Sequence, residues 1–88
     1  MNNDYPKKIV ELAGGQVSLA VKLKVIVPSS KISQGHIWNW LNRENQVPAE
    51  WVLPCCQALD WQVTPNQLRP DLYPHPHDGL PESMRQVA

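Results

Sequence analysis

The chain of 88 residues lacks several features that define common classes of protein. It has no run near the roughly 20 consecutive apolar residues that cross a bilayer. Its start, Met1-Asn2-Asn3-Asp4, lacks the basic and then apolar layout of a secretory signal. These absences predict a cytoplasmic protein with no membrane partner. A chain this short has room for one modest core, so we expect one domain with tails.

Cysteine is scarce, since Cys55 and Cys56 are the two thiols in the sequence. Neighbouring positions on a helix point about 100° apart, so a disulfide between them would be strained and both are expected to be reduced. A metal site needs more ligands at suitable spacing, which the histidines His36, His75 and His77 do not supply. The sequence therefore predicts no metal and no cofactor.

Catalytic motifs are also missing. The sequence has no glycine-rich phosphate loop, no cluster of histidine, cysteine and carboxylate, and no nucleophile paired with a base within one element. His36 has neither a nucleophile nor a carboxylate beside it. We therefore expect a protein that is not an enzyme and has no catalytic residues.

Charge is balanced in total but not along the chain. The formal net charge is zero, which at first argues against a nucleic-acid partner, because phosphate neutralisation needs clustered lysine and arginine. Residues 1–43, however, carry six basic and two acidic side chains, a net charge of +4, and residues 44–88 carry two basic and six acidic ones, a net charge of −4. The asymmetry suggests one surface for an anion and another for a different partner; chance is the alternative.

Proline, glycine and small polar residues divide the chain into short helices. The first is predicted over residues 5–13 and is ended by Gly14-Gly15. The second is predicted over residues 16–24, and its spacing indicates an apolar stripe of Val17, Ala20 and Val21 that the stem of Lys24 can flank. A β-branched and turn-forming stretch from Val25 onward then interrupts the helix.

Three more helices are predicted further along the chain. The third covers residues 33–42, with Ser33 as N-cap and an apolar inner face of Ile37, Trp40 and Leu41. The fourth covers residues 49–59, with a buried stripe of Val52, Cys55, Cys56 and Leu59. Because Pro54 costs about 3 kcal/mol inside a helix, this helix is expected to kink or to begin later. A single turn follows, with a capping box made by Thr64 and Gln67.

Two helices, a break, and a third helix with an apolar inner and a polar outer face are typical of a helix-turn-helix. The sequence therefore predicts a small all-α, lambda-repressor-like DNA-binding domain over residues 1–74. The proline-containing segment 75–88 has few apolar residues and is predicted to be a flexible, disordered tail.

The outer face of helix 33–42 is the candidate for reading bases in the major groove. Gln34 and Asn39 are the leading base readers, because an amide donates and accepts at once and so matches the edge of adenine. Gly35 would allow close approach to the duplex, and Trp38 would contact a thymine methyl. The alternatives are that Gly35 is only a weak helix position and that Trp38 is partly buried against the 26–32 loop.

Other residues are candidates for contacts with the DNA backbone. Gln16 begins the second helix, where an amide and free backbone N–H groups can hold a phosphate. Lys31, Ser33 and Arg43 flank the third helix and would fix its register without reading bases.

The segments Gln16–Leu23 and Ser33–Asn42, with Val47-Pro48-Ala49-Glu50 and above all Leu68-Arg69-Pro70-Asp71, resemble the YdaS/Cro-like prophage regulators. The resemblance covers about residues 9–74. It implies operator binding by homodimers and repression of prophage or toxin–antitoxin genes. Where this family usually has a glycine, the chain has Lys24, and residues 26–32 form an insertion.

A protein-interaction module is the alternative function. In that case the acidic second half and the tail of the chain would neutralise a toxin or contact another regulator. The surface that would form a dimer is not evident from the sequence. The candidates for this dimer surface are Trp51, Trp61, Leu72 and Tyr73. Each of them is expected to belong to the core instead.

Overall fold

The computed structural model describes residues 5–85, with side chains described through residue 83. In this part of the chain the regular elements are helical: α1 (Tyr5–Ala13), α2 (Gln16–Ile26), α3 (Gln34–Asn39), α4 (Val52–Ala58), α5 (Pro65–Leu68) and α6 (Glu82–Arg85). A π-helical turn, Trp40–Glu44, continues α3, and a 3-10 turn, Ala49–Trp51, leads into α4. The prediction of an all-α fold of about five short helices is confirmed. None of the described helices is long and apolar enough to span a membrane.

The two glycines between α1 and α2 end the first helix as predicted. Gly14 and Gly15 have φ values of 92° and 122°, a region that favours glycine. The Gly14 amide donates to the Glu11 carbonyl at 3.1 Å and the Gly15 amide to the Val10 carbonyl at 2.8 Å. This pair of bonds is a Schellman motif, which satisfies the last carbonyls of α1 and lets α2 begin at once.

The stripe predicted for α2 is wrong for its two valines, whereas Ala20 is half-buried against the core as predicted. Leu19 and Leu23 are fully buried, whereas Val17 and Val21 are each 60% exposed, and Lys24 is exposed. Both faces of α2 are apolar, so spacing alone does not fix which face turns inward. Burying the two leucines removes more apolar surface from water than burying the valines, and α2 packs with them toward α1, α3 and α4.

The fourth predicted helix is divided in two. The 3-10 turn ends at Trp51, and Pro54 is the third residue of α4, where its missing N–H would have no partner within the helix. The predicted buried stripe of this helix is confirmed, because Val52, Cys55, Cys56 and Leu59 are all buried. Both thiols are free. Burial raises the pKa of Cys56 to about 12 and that of Cys55 still further.

The region around α5 is held by polar contacts. The predicted capping box is confirmed, with the Thr64 amide donating to Gln67 Oε1 at 3.0 Å and the Gln67 amide to Thr64 Oγ1 at 3.2 Å. Arg69 then donates to the Val47 carbonyl at 2.9 Å and to both Asp71 carboxylate oxygens at 3.0 and 2.8 Å. These bonds tie the end of α5 to the segment that precedes α4. The Arg69 guanidinium lowers the pKa of Asp71.

The start of the predicted tail packs against the domain. Residues 75–80 form turns, and Leu80 is buried. A Cβ on Gly79 would lie 2.8 Å from Pro65 Cγ, which shows how closely this segment approaches α5. The boundary at residue 74 and the disorder of the tail stay predictions, and residues 86–88 lie outside the described residues. Three of the four candidates for a dimer surface pack against the core, namely Trp51, Trp61 and Tyr73, whereas Leu72 is 45% exposed.

Candidate nucleic-acid interface

Helix α3 is anchored by its apolar face, largely as predicted. Ile37 is fully buried and Trp40 is 4% exposed, while Leu41 is half-buried. The helix packs against α2 and continues into the π-helical turn. Buried anchors of this kind fix the direction in which the remaining side chains of α3 point.

The N-terminus of α3 is closed by His36. The Ser33 amide donates to His36 Nδ1 at 3.1 Å, and Ser33 Oγ lies 3.1 Å from the same nitrogen. His36 thus takes the place that glutamate or glutamine holds in a capping box. Because Nδ1 accepts a backbone hydrogen bond, the neutral ring carries its proton on Nε2. Ser33 is exposed, as expected for a phosphate contact, but it also has this structural role.

An amide pair joins the beginnings of α2 and α3. Gln34 Nε2 donates to Gln16 Oε1 at 3.4 Å, which is long for a hydrogen bond but within reach of one. The structure therefore brings together a predicted base reader and a predicted phosphate contact that are 18 positions apart in the chain. Gln34 Oε1 and Gln16 Nε2 keep their hydrogen-bonding capacity for another partner.

The other predicted base readers lie on α3 but differ in their exposure to solvent. Gly35 is exposed, and Trp38 is 47% exposed. The Asn42 side chain donates to the Trp38 carbonyl at 3.0 Å. Asn39 is half-buried and lines a pocket with Trp40 and other residues. Gln34, Gly35 and Trp38 are therefore the more accessible members of the set, and Asn39 lies at its border.

The predicted phosphate contacts are spread around this surface. Lys31 and Arg43 are exposed. Gly15 precedes α2 without a side-chain cap, so the first amides of α2, near Gln16, have no partner within the helix. Such a helix end attracts anions because its backbone N–H groups and dipole both point outward.

The connector between α2 and α3 is shorter than predicted. Helix α2 continues through Val25 and Ile26, so residues 27–33 form the non-helical link. The Lys24 ammonium donates to the Ser30 carbonyl, a contact that sequence reasoning missed. Ile32 packs against the core. The second half of the link is thus held at Ser30 and Ile32, and Lys31 between them is exposed.

These contacts define a small helical domain in which α2 packs against α3, with a seven-residue link between them. The chain belongs to the family described as bacterial toxin YdaS, whose sequence profile matches residues 7–77. The predicted resemblance to YdaS-type prophage proteins is confirmed. No curated protein and no solved structure matches the chain.

Proposed function

We propose that the protein is a sequence-specific regulator of transcription that binds double-stranded DNA by inserting α3 into the major groove. The observation that carries the proposal is the exposed Gln16–Gln34 amide pair at the joined starts of α2 and α3. It lies beside the exposed Gly35 and Trp38 on a helix held by the buried Ile37. A groove about 12 Å wide admits such a helix.

Gln34 is the leading base reader in this proposal. Its amide is oriented by Gln16 and still offers an acceptor, so it can contact an adenine edge without first losing side-chain freedom. Trp38 offers apolar surface to a thymine methyl, and Gly35 lets the helix backbone approach the bases. Asn39 reads a base at the border of this surface.

The DNA backbone is held by groups that flank α3. Gln16 and the free amides of α2 bind one phosphate, and Lys31, Ser33 and Arg43 bind others. The net charge of +4 on residues 1–43 favours this surface for DNA, because released counterions supply much of the binding free energy.

A single α3 reads too few bases for useful specificity, so the protein is proposed to bind as a homodimer to a two-fold operator. It would act in the cytoplasm as a repressor of prophage or toxin–antitoxin genes. The proposal needs neither a cofactor nor catalysis.

The first test is a titration of labelled DNA from the region flanking the gene, at two salt concentrations and with competitor DNA. Gln34→Ala is expected to weaken operator binding by roughly 1 to 3 kcal/mol and leave binding to random DNA nearly unchanged. Gln57→Ala, at an exposed glutamine on α4, is the matched control. Equal losses on both DNAs would remove Gln34 from the base readers, and no selectivity for any sequence would overturn the proposal.

Lys31→Ala tests the backbone contacts in the same assay. It is expected to weaken binding to all sequences and to reduce the salt slope by about one unit, because one phosphate contact is lost. An unchanged slope would show that Lys31 does not contact a phosphate.

Interaction with a protein partner is the second candidate function, favoured by the net charge of −4 on residues 44–88. The family is named for a toxin, so growth of cells that express the chain separates the two functions. Growth inhibition that disappears with Gln34→Ala would follow from DNA binding. Inhibition that persists at full strength in this variant, although its operator binding is weakened, would support a protein target.

A further inference from the structure

A pocket of about 180 Å³ opens beside α3, on the border of the proposed DNA-reading surface. The π-helical turn and the 3-10 turn form it together with the end of α3. Its lining includes His36, Asn39, Trp40, Glu44, Glu50 and Trp51. The sequence gives little sign of this pocket, because its residues come from three short elements of different geometry.

Two tryptophans and two carboxylates give the pocket its chemistry. The Trp40 and Trp51 ring centroids are 6.1 Å apart, and the ring planes make an angle of 42°. Glu44 and Glu50 are both exposed at the pocket. Within residues 5–83, neither carboxylate forms an ion pair.

We propose that this pocket binds a cationic guanidinium or ammonium group. The face of an indole ring is negative and attracts a cation within about 6 Å, and the two carboxylates add charge-assisted hydrogen bonds. The same carboxylates repel phosphate, so the pocket does not suit the DNA backbone. Its volume is below the roughly 300 to 1,000 Å³ of sites for drug-sized ligands, which favours a single head group.

The cation can come from two sources that share this chemistry. One is a small free amine or guanidine. The other is a lysine or arginine of a second copy of the chain, whose residues 1–43 carry the net charge of +4. The proposal does not rest on the DNA-binding function, although Asn39 lies at both surfaces.

The test is a titration with agmatine, a small guanidinium compound, in phosphate buffer, followed by NMR of the indole N–H groups and by sedimentation of the protein. Saturable shifts of the Trp51 indole signal in a monomeric protein would identify a free cation. Agmatine that dissociates a dimer would identify a side chain of the second copy. Butylurea, which has a similar shape but no charge, is the control ligand.

The double variant Glu44→Gln, Glu50→Gln keeps the shape of the pocket and removes its charge. We expect the dissociation constant for agmatine to rise at least about tenfold in this variant. If the cation belongs to a second copy, the dissociation constant of the dimer should rise by the same factor, which corresponds to about 1.4 kcal/mol. Glu11→Gln, at an exposed carboxylate on α1, should leave binding unchanged. Equal responses to agmatine and butylurea, or no response in either measurement, would overturn the proposal.

Discussion

The two faces of α2 are both apolar, yet they have opposite surroundings. Leu19 and Leu23 are completely buried, whereas Val17, Val21 and Val25 are 60, 60 and 72% exposed. The inner face packs toward three other helices, and the outer face lies in solvent. Apolar composition therefore marks a helix as able to pack, and the neighbouring helices decide which of its faces packs.

Substitution on the inner face of α2 should destabilise the protein most. Leu19→Ala should lower the free energy of unfolding by about 2 to 5 kcal/mol, because it removes buried methyl groups and leaves a cavity. Urea unfolding followed by circular dichroism measures the loss. A loss below about 1 kcal/mol would mean that this face of α2 is not the one that builds the core.

A partly buried polar contact tests whether a charged side chain can stabilise the fold as much as a buried leucine does. The Arg69 side chain is 12% exposed, and Arg69→Ala leaves the Val47 carbonyl without its donor. We expect a loss of about 1.5 to 3 kcal/mol in the same unfolding experiment. Asp71→Asn is the control and should cost little, because this carboxylate is 59% exposed. If both variants lose equally, the ion pair and not the carbonyl contact is what stabilises the fold.

Unfolding at alkaline pH tests the burial of the two thiols of α4, the helix that packs against α2. Burial raises the pKa of Cys56 to about 12 and raises that of Cys55, so above pH 9 the unfolded chain releases thiol protons that the folded chain keeps. Stability from this source is complete below pH 9 and falls as the pH rises, by up to about 1.4 kcal/mol per pH unit for each thiol. Unfolding of the wild type and of Cys55→Ala, Cys56→Ala between pH 8 and 11 should show a shallower decline in the variant. Parallel declines would contradict buried thiols.

The smallest effect is expected on the outer face. Val21→Ala should change the free energy of unfolding by less than about 0.5 kcal/mol, because Val21 loses little packing and alanine favours the helix. Thermal unfolding at two protein concentrations measures it. A loss similar to that of Leu19→Ala, present only at the higher concentration, would show that the valine face is buried in an oligomer.

Much of the fold could be predicted because its signals are local. Gly14-Gly15, the Thr64–Gln67 capping box and the stripe of α4 each depend on residues within one or two helical turns. The buried face of α2 could not be predicted in this way, because it depends on contacts with helices that are distant in sequence. The β-branched Val25 and Ile26 also continue α2, where tertiary packing outweighs a weak propensity.

In the candidate site, too, the residues could be predicted from local patterns, whereas the contacts between distant segments could not. Amides, a glycine and a tryptophan at helical spacing predicted the residues of the α3 surface, and Gln34, Gly35 and Trp38 are indeed exposed. The contact between Gln34 and Gln16 depends on how a seven-residue link folds back, and no local pattern encodes that. Asn39 fits the same pattern, but it lines the pocket that the π-helical turn forms next to it.

The exposure of Trp38 gives the protein an optical reporter of its own. It is 47% exposed, whereas the other three tryptophans are buried or half-buried. Quenching of the intrinsic fluorescence by acrylamide should therefore come mainly from this one indole. Whatever covers the outer face of α3 will shield it from the quencher, so occupancy of that surface can be followed in the unlabelled, unmodified chain.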